Sequence, residues 1–196
     1  MKNKTNRAVS IKIAALIAAI VLFIGCTAGG TVAWLVSKPD PIVNVFTVGN
    51  INATLTETKK EFKIVPGVDI AKDPVATVEA NSEDCYLFVK LTEKNWPTFT
   101  EATEAGSTAR KVEYEIAQGW TELENGVYYR VVAKSDKDQA FHVLKNDQVT
   151  VSSTLTKENA DAIQKAGAPE LTVAVYAVQK EGMGSAAEAW AAAKAQ

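Results

Sequence analysis

Residues able to do acid–base, nucleophilic or metal chemistry are few and scattered along this 196-residue chain. Its single histidine, His142, lies in the strand-like run Ala140-Phe-His-Val-Leu144. A Ser-His-Asp or Cys-His system would have to take its base from that residue. No nucleophile elbow surrounds any serine, and Cys85 sits in the alternating run Cys85-Tyr-Leu-Phe-Val-Lys-Leu91, which reads as a strand with a buried, inert thiol. A hydrolytic zinc site draws on several His, Cys or carboxylate ligands at fixed spacing, and no HExxH is present. Asp136-Lys-Asp138 and Glu83-Asp84 carry oxygens of the kind calcium prefers, but without EF-hand spacing they read as solvated turns. Gly182-Met-Gly184 lacks the glycine spacing of a phosphate loop. Trp96, Trp120 and Tyr128-Tyr129 suit either a carbohydrate-facing aromatic patch or ordinary cross-strand packing, and packing is the simpler account. No catalytic residue, cofactor site or metal site is therefore expected, and the chain does not read as an enzyme.

The beginning of the chain is more informative. Lys2, Lys4, Arg7 and Lys12 precede the apolar run Ile13–Gly25, which leads into the small-residue stretch Cys26-Thr-Ala-Gly-Gly-Thr-Val-Ala33. A basic, an apolar and a small-residue region in that order form a secretory signal peptide. The apolar run falls short of the roughly 20 residues of a membrane span, although an anchor continuing to Val36 is the competing reading. Thr31-Val-Ala33 places small side chains where signal peptidase reads them, so cleavage after Ala33 would expose Trp34 as the new N-terminus. A second processing site competes: Leu22-Phe-Ile-Gly-Cys26 is a loose lipobox that would leave a lipid on Cys26 and tether the protein. The expected organisation is a signal peptide over 1–33, a proline-broken leader over 34–41 and one domain over 42–196. The leader peptide removes four positive charges, so the remainder is more acidic than the whole chain at its net −2. That excludes nucleic acid as a partner, because phosphate binding needs a basic patch. The membrane is a partner only before processing or through a lipid on Cys26.

Residues Ile42–Val48, Asn52–Glu57, Phe62–Val65, Val75–Ala80 and Cys85–Thr92 read as strands. Turns at Gly49-Asn50 and at Asn81–Asp84 suggest hairpins joining the first strand to the second and the fourth to the fifth. Residues 93–111 read as a loop. Strands follow at 112–116 and 120–123, then the hairpin signal Asn125-Gly126, then strands at 127–134, 140–144 and 149–155. Thr156 and Gly167 bracket a helix over 157–166. Leu171–Gln179 is apolar on both faces and reads as a central strand. Ser185 caps an alanine-rich helix whose one large apolar residue, Trp190, either packs on the domain or extends to a partner. The class is mainly β: a jelly-roll-like antiparallel sandwich with one or two short helices and an N-terminal signal helix.

Gly29-Gly-Thr-Val-Ala-Trp34 resembles the cleavage region of SipW-type signal peptides. Asn44-Val-Phe-Thr-Val-Gly-Asn-Ile51 resembles the first mature strand of the TasA/camelysin group of exported Gram-positive proteins. Val65-Pro-Gly-Val-Asp69 with Lys72-Asp-Pro74, then Ser82–Lys90, is similar to that group's next block, and Val173–Gln179 with Ala186–Trp190 to the ending of its clostridial members. The resemblance covers both ends well and residues 93–155 poorly. It implies a dedicated signal peptidase, residence at the cell surface or in the extracellular matrix, and fibres in which the N-terminal strand of one subunit completes the sheet of the next. On this chain Ile42, Val43, Val45, Phe46 and Val48 would form that donor strand, and self-association through strand addition is the expected partnership. A metallopeptidase label attached to camelysin does not carry over to a chain with one histidine and no zinc motif. The competing reading is a monomeric surface-anchored module that binds carbohydrate or a host protein through the 93–111 loop and Trp96.

Overall fold

The computed structural model describes residues 44–48, 50–58, 63–103 and 106–195, all within one compact unit. The signal peptide and its helix, the Ala33–Trp34 cleavage point, Cys26, the 34–41 leader, Ile42 and Val43 lie outside the described residues. In chain order the strands are β1 (Asn44–Val48), β2 (Ala53–Thr56), β3 (Ile70–Ala71), β4 (Val75–Val78), β5 (Cys85–Lys94), β6 (Thr100–Ala102), β7 (Thr108–Arg110), β8 (Val112–Glu113), β9 (Thr121–Glu124), β10 (Val127–Val132), β11 (Gln139–His142), β12 (Gln148–Val151) and β13 (Glu170–Gln179). Helix α1 spans Lys157–Ala166 and helix α2 spans Ala186–Lys194.

The molecule is mainly β, and its centre is the antiparallel pair β5–β13, in register from Glu170↔Lys94 to Gln179↔Cys85. Around it forms a five-stranded sheet in the order β1-β13-β5-β10-β9. One face of this sheet carries Leu87, Val89 and Leu91 from β5 and Val173, Val175 and Ala177 from β13. These pack in one continuous core with residues of two three-stranded sheets, β11-β4-β2 and β3-β12-β8, which form the opposing layer. Ala76 and Val78 from β4, Leu55 from β2, and Val149 and Val151 from β12 fill it. Alternation of buried and less buried residues along β4 and β12 is what a strand with one core face produces.

The other face of the large sheet is also apolar, with Tyr86, Phe88, Val127 and Val178, and α2 covers it. Its residues Ala186, Ala189 and Ala193 let the helix backbone approach, and Trp190 fills the gap. The Trp190 ring meets Tyr176 edge-on at 4.9 Å and Phe88 at 5.3 Å, and its indole N–H donates to Glu124 at 2.7 Å. Trp190 therefore packs on the domain. Cys85–Val89 of β5 and Val173–Val178 of β13 are apolar on both faces for this reason, and β13 lies inside the sheet, which bears out the central placement of the last strand.

Local signals held where a short stretch decides the conformation. Thr156 and Asn159 form a reciprocal capping box at α1. Ser185 accepts from Glu188 N–H at 3.2 Å to open α2. The Asn125-Gly126 turn joins β9 to β10, with a register shift beside it. Gly126 has φ +74, and a Cβ there would sit 2.8 Å from the Leu91 carbonyl oxygen, so only glycine fits without movement.

Four expectations need correction. The first hairpin does not form: β1 joins β13 in the large sheet, while β2 pairs with β4 in the opposing layer. The 81–84 turn likewise carries the chain from β4 in one layer to β5 in the other. This turn and Glu79 just ahead of it hold the 50–52 segment instead: Glu79 N–H donates to Asn52 O at 2.8 Å, Glu83 N–H to Asn50 O at 3.2 Å, and Asn52 N–H to the buried Ser82 hydroxyl at 3.1 Å. A turn signal marks where the chain bends and not which edge it then joins. Residues 93–111 contain the β6–β7 hairpin, from Thr100↔Arg110 to Ala102↔Thr108. In place of a strand ending at Val65, the structure has a tight Val65↔Val68 bridge around Pro66-Gly67, and β3 follows it.

Trp190→Ala is expected to lower the unfolding free energy by about 3–5 kcal/mol, as removal of large buried aromatics does. Val131→Ala, on the half-exposed part of the same sheet, should change it by less than about 0.5 kcal/mol. Urea denaturation of the two variants against the wild type reads both.

Candidate functional site

Strand β1 forms one edge of the large sheet. It runs parallel to β13, with Asn44↔Ala174, Val45↔Val175, Phe46↔Tyr176, Thr47↔Ala177 and Val48↔Val178. Among the described residues it has β13 as its only strand neighbour. The β-branched and aromatic residues of this stretch suit a pleated strand, and its partner supplies the apolar surface it needs. Phe46 lies flat on Tyr176, the ring centroids 4.8 Å apart and the planes 14° apart, yet remains 37 % exposed. Val48 packs beside the cluster under α2. Of the expected donor residues, Val45, Phe46 and Val48 are thus on the edge strand. If β1 were lifted away, the β13 backbone would lose its partners along one side and present an open edge.

The 93–111 region is fastened to the sandwich by a polar network. Arg110 on β7 grips Glu93 on β5 with both ends of its guanidinium, at 2.6 and 3.0 Å, and the Tyr114 hydroxyl donates to the same carboxylate at 3.0 Å. Burial pushes Glu93 upward, but the bonds from Arg110 and Tyr114 outweigh it and hold the carboxyl below its ordinary value. The same contact raises Arg110, and burial beside the carboxylate raises Tyr114. Trp96 stands edge-on to Tyr114 at 5.6 Å and spends its indole N–H on the Val112 carbonyl at 3.2 Å. It packs against the core and is part of the structure of this loop.

The residues with chemical potential are separated. His142 Nδ1 lies 2.8 Å from Asp147 Oδ1, and among the described residues no serine, threonine or cysteine side chain is hydrogen-bonded to that ring. Cys85 is fully buried on β5, and burial, with the charge of Asp84 adding to it, raises its thiol to about 11. Asp84 and Asp138 accept backbone N–H bonds from Lys134 and Ala80, and Glu83 pairs with Lys134 at 2.7 Å, so these turns use their own carboxylates. Gly184 N–H donates to Glu188 at 2.9 Å, which fills the start of α2 from within the chain. No group of three or more His, Cys, Asp or Glu poised for a metal occurs among the described residues. No described helix is long and apolar enough to cross a membrane. Trp120 and Tyr128 pack against the inner core, whereas Tyr129 faces the α2 side, so the four aromatic residues do not form one patch.

Two features escaped the sequence. The Glu93–Arg110 pair joins a strand to a stretch read as loop, and its 17-residue separation has no local signature. Arg130 lies among the strand residues Val127–Val132 at the parity that faces the core with Tyr128 and Val132, which was the available signal for an unusual charge. Comparison with protein-family models, curated proteins and solved structures found no match. The fold and the site geometry define the class alone: a two-layer β-sandwich, covered on its outer face by a helix and closed at one edge by a parallel N-terminal strand.

Two predictions follow from the titratable groups. A carboxyl whose folded value is depressed stabilises the protein above its unfolded value of about 4.3, and that gain is lost as pH falls through the folded value. Wild type should therefore melt above Glu93→Gln at pH 7, and the gap should narrow steadily in melting curves taken below about pH 4.3. For Cys85, alkylation at pH 8 followed by mass analysis of its peptide should show no label in the folded protein and full label in denaturant.

Proposed function

We propose that this chain is an exported structural protein of the cell surface or extracellular matrix, a subunit that assembles by passing its N-terminal strand to a neighbouring copy. The observation that carries this reading is the parallel, one-sided pairing of β1 with β13 at the edge of the large sheet. A strand with a single neighbour can leave without dismantling any other pairing, and an identical strand from a second copy would find the same register and the same Tyr176 ring. Exchange of identical elements preserves the contacts and changes only which chain supplies them, so its free-energy cost is small. The basic, apolar and small-residue leader supports export, and the resemblance of residues 44–51 and of the SipW-type cleavage region to the TasA/camelysin group points to the same use. Cleavage after Ala33 would free the segment ahead of β1, in which Pro39 and Pro41 favour an extended, unpaired chain.

Deletion of residues 34–48 should abolish polymerisation, measured by sedimentation and electron microscopy, while far-UV circular dichroism retains the β-sheet spectrum. A peptide spanning 42–48 added in excess to the intact protein should cap growing assemblies and shorten them. A truncated protein that keeps its sheet spectrum and polymerises at the wild-type rate would sink the proposal.

A further inference from the structure

Two arginines lie among the described residues, and they are treated oppositely. Arg110 has its guanidinium filled by Glu93. Arg130, on the core-facing side of β10, has no hydrogen bond and no ion pair to any described residue, and its Nε–H is buried without an acceptor. The charge instead stands over two rings, with its central carbon 3.8 Å from the Phe141 centroid on β11 and 5.2 Å from that of Trp120 ahead of β9. Trp120 is itself fixed, since its indole N–H donates to the His142 carbonyl at 2.9 Å. Gly119 leaves the space the fork needs: it has φ +87, and a Cβ there would come within 3.0 Å of Nη2.

A guanidinium partly removed from water without an anion is costly, and the two ring faces offset only part of that cost. Burial depresses Arg130 from its ordinary value, the direction expected of a cation lacking its counter-charge. The rings already hold the side chain in place, so a ligand meets a pre-ordered fork and little rotamer freedom remains to be lost. A planar anion with two oxygens matches the two terminal nitrogens of such a group through two parallel N–H···O bonds, with the buried Nε–H behind them. The half-buried rings of Trp120 and Phe141 beside it offer an apolar surface to whatever carries the anion.

We propose that Arg130, Trp120 and Phe141 form a recognition site for a carboxylate at the mouth between the two layers. The carboxylate comes either as a free small acid or on a sugar ring as a uronate, and the two sources differ in what the aromatic rings add. This site is independent of strand exchange and functions in a single copy.

The test is a titration of the 15N-labelled full chain with sodium glucuronate, sodium acetate and glucose at constant ionic strength, following the Arg130 Nε–H and Trp120 indole N–H resonances. Glucuronate is expected to shift both in a saturable manner, and glucose neither. Acetate binding as tightly as glucuronate would identify a free carboxylate as the ligand; tighter glucuronate binding would identify the sugar-borne one. Arg130→Lys keeps the charge and loses the fork, and it should weaken binding at least about tenfold as followed at Trp120. Shifts that rise linearly without saturation for both anions would overturn the site. So would saturable binding that Arg130→Lys leaves unchanged. The wild-type titration decides the first point even where a variant fails to fold.

Discussion

Strands β5 and β13 are apolar on both faces, and a sheet built on them needs cover on both sides. Their antiparallel pairing runs the full ten residues of each strand, and every other element takes its place from it. The inner cover is the opposing layer, whose β2, β4 and β12 each turn one apolar face inward. The outer cover is α2, a helix narrow enough, through its alanines, to lie close to the sheet while Trp190 occupies the space between Phe88 and Tyr176. Burial of a large side chain is worth about 1.5–3 kcal/mol. Two cores sharing one pair of strands therefore concentrate much of the stability in the middle of the molecule. The edges are held by less.

Polar contacts refine that arrangement. The buried ammonium of Lys72 meets the equally buried Glu57 at 2.6 Å, which ties the residue after β2 to the residue after β3. An intact buried pair of this kind contributes little net stability. Its value lies in fixing how two short strands of the opposing layer approach each other. Glu93 and Arg110 do the same for the β6–β7 hairpin, which has no large apolar face of its own.

Much of this was legible before the structure. Helices bounded by Thr156 and Gly167 and opened by Ser185 announce themselves because capping is decided within four residues. The Asn125-Gly126 hairpin does so because its turn geometry requires glycine. Strand β13 does so because it is long and apolar on both faces, which suits a strand inside a sheet. What was lost is pairing. The segments 44–48, 53–56 and 75–78 were recognisable as strands, but partners chosen across the layers depend on the whole core and leave no mark on the turns between them. Short β3, β6 and β7 owe their existence to neighbours and not to their own residues. The candidate site divides in the same way: the composition of β1 showed a strand able to pair, while its parallel register with Tyr176 and the stacking of Arg130 on Phe141 and Trp120 exist only once distant residues are brought together.

The parallel register of β1 has a consequence for the order of events in folding. It joins the first described strand to the last, since Asn44 faces Ala174. Closing so long a loop is entropically costly and slow, and the loop cannot close at all until the C-terminal strand has been made. A chain emerging N-terminus first therefore carries β1 unpaired until β13 has been made. The β5–β13 pair must form before β1 has anywhere to dock. Among the described strands the last to find its place is thus the first to have emerged, and during that wait any completed sheet nearby with a free β13 edge offers it the same seat as its own.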